Sequence, residues 1–179
     1  MSTEPINKDV IKPLARRLKK EWQAMGMKKV AASGQEHGIS LKSRFSTEDG
    51  KMVVITALLT PGVINNNNAS LMVDVVLPEG PRLEPCLTAL SAFMQQATAQ
   101  FSPVSVLADV KNNRVVLRQS QLTAVDYPVS LAPFLNSARA LVPLLRDALV
   151  RLCARNPSPD KARQMADELS SRFYGAIAE

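Results

Sequence analysis

Val104 to Leu122 reads VSVLADVKNNRVVLRQSQL, and how this stretch is read decides the fold. Val104, Val106 and the aliphatic residues after them predict a first strand. Lys111-Asn112-Asn113-Arg114 predicts the turn, because Asn tolerates the left-handed backbone of tight hairpins. Val115, Val116 and Leu117, then Gln119 and Gln121 alternating with Ser120 and Leu122, predict the return strand. Helical patterns lie on both sides of this hairpin, so it is the ladder they are expected to pack against.

Upstream, three further strands are expected. Ile39 to Thr47 alternates Ile39, Leu41, Ser43 and Phe45 with Ser40, Lys42 and Arg44. Glu48-Asp49-Gly50-Lys51 is a hairpin turn. Met52 to Leu59 is more continuously apolar, as in a central strand, and Ser70 to Leu77 is the third strand of an antiparallel meander. Asn65 to Asn68 forms a loop, and Ala31 to Gly38, small and polar, reads as a connector.

The flanking segments read as helices. Asp9 to Met25 places Val10, Leu14, Leu18, Trp22 and Met25 at spacings of three or four. Asn7 can cap it, and Pro13 falls near its first turn. Pro78 to Pro81 breaks the pattern before a second helix, Leu83 to Ala99. Ala124 to Pro128 is a linker, and Ser130 caps a long helix reaching about Ala154, which Pro143 should kink or interrupt. Ser158 as N-cap with Pro159 after it starts a tail helix whose stripe is Ala162, Met165, Ala166, Leu169 and Phe173. The expected class is α+β: helix, three-stranded antiparallel meander, helix, β-hairpin, long helix and tail helix, with helices packed on one antiparallel sheet. Residues 1–155 would form the domain and 156–179 a helical appendage.

At 179 residues the chain is long enough to bury a core without staples. Only 4% of it is aromatic, so that core must be mainly aliphatic, and few rings are left for stacking bases. Residues 8–29 carry eight basic and two acidic side chains, a difference equal to the whole net charge of +6. Such a local basic face suits nucleic acid, acidic lipid or an acidic protein, or is simply a solvated helix face. Cys86 and Cys153 are distant in sequence and lack CxxC or His neighbours, so they read as free buried thiols, in keeping with a reducing cytosol. No apolar run is long enough to span a membrane, and the first residues lack the apolar core of a secretory signal.

No reactive constellation stands out. Paired carboxylates, Ser-His-Asp sets, glycine-rich phosphate loops and HExxH are all missing from the sequence. His37, alone in the connector, is a weak metal ligand or base. Asp74 lies in a strand pattern with no evident partner, and Asp109 precedes a turn, where it can accept backbone N–H groups. The reading is therefore non-enzymatic, with no cofactor and no metal.

Strand SLMVDVVL leads through a Pro/Gly break into LEPCLTALSAFMQQA and then VSVLADVKNNRVVLRQ. In this order of elements the chain resembles the class I chaperones of type III secretion and is similar to the YbjN-like proteins that share that fold. The resemblance covers roughly residues 8 to 154. It implies a small cytoplasmic homodimer that binds an extended segment of a client protein. Such chaperones are typically acidic, whereas this chain is basic, and the tail helix from Pro159 is an addition. On that reading Leu14, Leu18 and Trp22 contact the client in a groove beside the first helix, while Arg16 and Lys20 steer an acidic segment. The alternative partner is nucleic acid, held by Lys12, Arg16, Arg17, Lys19 and Lys20.

Overall fold

A computed structural model describes residues 8–62, 68–124 and 130–178. The expected cap Asn7, the expected loop at Asn65 to Asn67 and most of the expected linker, residues 125–128, lie outside them. A 3-10 turn, Lys8–Ile11, runs into α1 (Lys12–Ala24); β1 (Ala31–Gln35), β2 (Gly38–Ser46), β3 (Met52–Pro61) and β4 (Asn68–Val76) follow. A second 3-10 turn, Glu84–Cys86, opens α2 (Leu87–Gln100). Then come β5 (Ser105–Asp109), β6 (Arg114–Ala124), α3 (Ala132–Arg155) and α4 (Pro159–Ala178). The six strands form one antiparallel sheet in the order β1-β2-β3-β4-β6-β5. The expected α+β architecture, with helices on a single antiparallel sheet, is what the chain adopts.

Alternation along the strands sorts the sheet into two faces. Leu41 and Phe45 of β2, Val53, Ile55, Ala57 and Leu59 of β3, and Ala69, Leu71, Val73 and Val75 of β4 are buried. Val106, Val115 and Leu117 extend the same face across the hairpin, and all these side chains join the helices in one core cluster. The other face has no helix on it among the described residues.

One strand was not expected. Ala31 to Gln35, read as a connector, pairs with Gly38 to Lys42 through the two-residue turn Glu36-His37. Every residue of β1 is exposed, so no apolar alternation could announce it; the backbone ladder alone makes the strand. At Gly38 a Cβ would stand 2.0 Å from the Leu59 carbonyl oxygen, so only glycine lets β2 begin so close to β3.

The hairpin at 104–122 forms with its tight turn at Val110 to Asn113, one residue earlier than its sequence suggests. Asn113 adopts φ 50° there. Its side-chain oxygen accepts the Leu83 N–H at 2.9 Å, which fixes the approach to α2. Asp109 accepts from both the Asn112 backbone N–H and its side-chain amide, as a pre-turn carboxylate should.

Pro143 does not interrupt α3, which runs through it as one helix. Proline has no N–H to offer the Arg139 carbonyl one turn back. Glu48, in the β2–β3 turn, donates its backbone N–H to that carbonyl instead, at 3.4 Å. The same turn is held again by Asp49, which pairs with Arg146 at 2.8 Å, while the Arg139 guanidinium lies 5.9 Å from the Phe45 ring centre and reaches the Met25 carbonyl. The start of α3 is tied to α1 as well. Glu21 accepts the Leu131 N–H at 2.7 Å, and Ser130 donates to the same carboxylate while accepting from Ala132.

The tail helix lies against α2 and α3. Ala162, Ala166, Leu169 and Phe173 are buried in the common core. Phe173 meets Phe101 edge-to-face at 5.5 Å. Asp167 accepts from Gln96 and Gln100, and the Tyr174 hydroxyl donates to the Gln100 carbonyl. Phe173→Ala should accordingly cost about 3–5 kcal/mol of global stability, read as a lowered urea midpoint with an unchanged slope. A helix that merely trailed from residues 1–155 would leave that midpoint where it is.

Candidate partner-binding edge

The expected groove residues are corrected by their burial. Leu14, Leu18 and Trp22 are 0%, 1% and 0% exposed, packed in the chain's own core, and line no groove. The spacing of three and four that singled them out is equally the spacing of a helix face turned inward, and here it is that. The Trp22 Nε1–H has no hydrogen-bond partner among the described residues. Arg16 and Lys20 are exposed on the outer side of α1.

His37 sits in the exposed β1–β2 turn, 3.8 Å from Glu36, at the rim of a 380 Å³ cleft on the uncovered sheet face. Asp74 also lines that cleft, and it has a partner that linear reading missed. Arg118 stands directly across from it in the β4–β6 register and grips both carboxylate oxygens, at 2.7 and 2.8 Å. The carboxylate raises the Arg118 pKa further above its ordinary value. Among the described residues no group of three or more His, Cys, Asp or Glu is placed to hold a metal ion. Cys86 and Cys153, distant in sequence, have their sulfurs 2.7 Å apart.

The sheet's two edges differ. On β5, the Thr98 hydroxyl of α2 accepts the Val106 N–H at 2.9 Å and donates to the Val106 carbonyl at 3.1 Å. That edge is covered. On the opposite side, pairing of β1 with β2 stops at Ala31 and Lys42. Ser43 to Ser46 of β2 therefore has β3 on one side and, among the described residues, no strand on the other. Backbone groups alternate in direction along a strand. The Thr47 N–H bonds to Lys51, so the odd-numbered residues of β2 turn toward β3. Arg44 and Ser46 thus turn their N–H and carbonyl groups outward.

Beside this open edge lies a cleft of 630 Å³ whose walls include Lys28, Lys29, Lys42 and Arg44. All four are exposed, and none makes an ion pair with a described residue. Lys29 holds φ 59°, a conformation that costs a β-carbon-bearing residue energy and is enriched at binding sites. Phe45 and the 57%-exposed Met52 give the cleft its apolar part. The even positions Lys42 and Arg44 were legible as the polar side of a strand; what the sequence concealed was that pairing with β1 ends at Lys42, short of Arg44.

No protein-family model matches this chain, and no curated protein matches it.

The open edge depends on the β2–β3 turn. Thr47 donates its hydroxyl to Asp49, whose other oxygen receives Arg146. The Thr47 hydroxyl bond is the main cause that holds the Asp49 carboxyl below its ordinary value of 3.8; burial opposes it, and Arg146 adds to the lowering. A lowered folded-state pKa stabilises the protein above the unfolded value, and the gain is lost as pH falls through the folded one. Asp49→Asn should thus lower the thermal midpoint at neutral pH, and the gap from wild type should close as pH drops below 3.8. Midpoints recorded across that range check the sign.

Proposed function

We propose that this chain is a non-enzymatic binding protein, chaperone or adaptor in kind, that takes an extended acidic segment of a client protein as an added strand on β2. The observation that carries this reading is the Ser43–Ser46 edge beside four cations: among the described residues the edge has no outer strand partner and the cations have no counter-ions. Strand addition draws affinity from main-chain hydrogen bonds and selectivity from the side chains flanking them. Here the flanking charge favours Asp and Glu, and the exposed Met52 offers apolar contact beside them. The contrast with the covered β5 edge supports the same reading, since exposed edges are otherwise blocked.

Homodimerisation belongs to the proposal, with a second copy on the uncovered face. Strands of 5 to 11 residues give that face a flat footprint of roughly 780 Å², from about 3.3 Å per residue and 4.8 Å between strands. A standard interface buries about 800 Å² per partner. Val54, Leu58, Met72, Val76 and Val116 are its apolar middle, and Asp74 and Arg118 neutralise each other within it. The native mass should be twice 19.5 kDa, and Met72→Glu should return it to one chain without unfolding, because Met72 points away from the core. A wild-type monomer at micromolar concentration would remove this part.

The client edge is tested with a labelled peptide alternating Glu and Val. Arg44→Pro deletes an outward N–H and a cation while leaving the β2–β3 ladder whole. It should weaken binding at least tenfold, and Lys28→Glu with Lys42→Glu should weaken it further. Unchanged affinity in both variants would end the proposal. Nucleic acid is the second reading, favoured by exposed Arg16 and Lys20 on α1. An oligonucleotide whose affinity falls about 10³-fold between 50 and 200 mM salt, and which survives Arg44→Pro, would favour it instead.

A further inference from the structure

Cys86 ends the 3-10 turn that opens α2, and Cys153 lies in the last turn of α3. They stand 67 positions apart in sequence, yet their sulfurs are 2.7 Å apart. That is about 0.65 Å beyond a covalent S–S bond. Both are free thiols. Cys86 is 1% exposed, with Sγ also 3.3 Å from the Leu83 carbonyl, whereas Cys153 is only partly buried. One thiol can thus meet a reagent from solvent while the other waits behind it. Thiol–disulfide exchange needs this arrangement of an attacking and a resolving sulfur.

We infer that Cys86 and Cys153 are a modification site, closing to an intramolecular disulfide by exchange with a small-molecule disulfide such as oxidised glutathione. In the first step the Cys153 thiolate attacks one sulfur of the reagent, whose S–S bond breaks and releases one glutathione thiolate. In the second the Cys86 thiolate attacks Cys153 Sγ, forming the protein S–S bond and expelling the second glutathione. The protein loses two electrons and two protons, and the reagent gains both to become two thiols. Burial and the neighbouring Cys86 push the Cys153 thiol up to about 12. The exchange is accordingly slow at neutral pH and quickens as pH rises toward that value. The bond would fasten the entry of α2 to the exit of α3, immediately before the chain crosses to α4.

The test uses the full chain, reduced, desalted and then exposed while folded to oxidised glutathione. The expected product is one chain lighter by about 2 Da, with two thiols closed to alkylation and a Cys86–Cys153 linked peptide on digestion. Its thermal midpoint should stand about 5–10 °C above the reduced form and return on reduction with dithiothreitol. Cys153→Ser, at the less buried position, should fold and show no such shift. Two thiols still open to alkylation, a glutathione adduct that persists, chains linked to one another, or a shift retained in Cys153→Ser would each overturn the inference.

Discussion

Everything in this molecule follows from which side of six strands is removed from water. The odd-numbered positions of β2, β3 and β4 carry mostly Leu, Phe, Val, Ile and Ala, with Ser43 a buried exception, and helices α1 to α4 lie over them in one core. Each fully buried aliphatic side chain contributes about 1.5–3 kcal/mol relative to exposure, which is why the helices commit to that side together. The even-numbered positions are mixed. Val54, Leu58 and Met72 alternate there with Thr56, Asp74 and Arg118, and side chains of neighbouring strands shield one another only in part. A face of that mixed character is the one on which the proposed second copy would lie.

The β2–β3 turn locks sheet to helix by a device that begins in one residue. Because Pro143 cannot bond to the Arg139 carbonyl, that oxygen is free to receive Glu48 from the turn. Arg146, two turns beyond Arg139 along α3, then holds Asp49 of the same turn. Arg139 itself crosses the Phe45 ring to the end of α1. A proline that the sequence presents as a fault in a helix thus serves as an attachment point between two layers.

The elements that the sequence made legible are those with a strong period. The amphipathic helices, the meander and the 104–122 hairpin all rest on apolar repetition, and Asp49-Gly50 and Asn113 marked their turns. What could not be read were features set by pairing across distance. Ala31 to Gln35 has no apolar period, so its strand exists only because β2 offers a ladder. The Asp74–Arg118 pair depends on β4 lying beside β6, a neighbour that chain order does not supply. The inward turn of Leu14, Leu18 and Trp22 was undetermined because a client-facing stripe and a core-facing stripe have the same spacing. Cys86 and Cys153 meet only through the packing of α2 on α3. The cationic edge required knowing where β1 stops.

Thr98 has a consequence for stoichiometry. By occupying the Val106 amide and carbonyl it terminates the sheet on one side. On the proposed reading a client strand would extend the sheet at β2, whereas a strand arriving at β5 would meet Val106 already bonded to Thr98. Growth by edge-to-edge stacking would thereby be opposed after one addition. A guest strand taken at β2 would then leave the opposite edge a poor seed for an open-ended fibre.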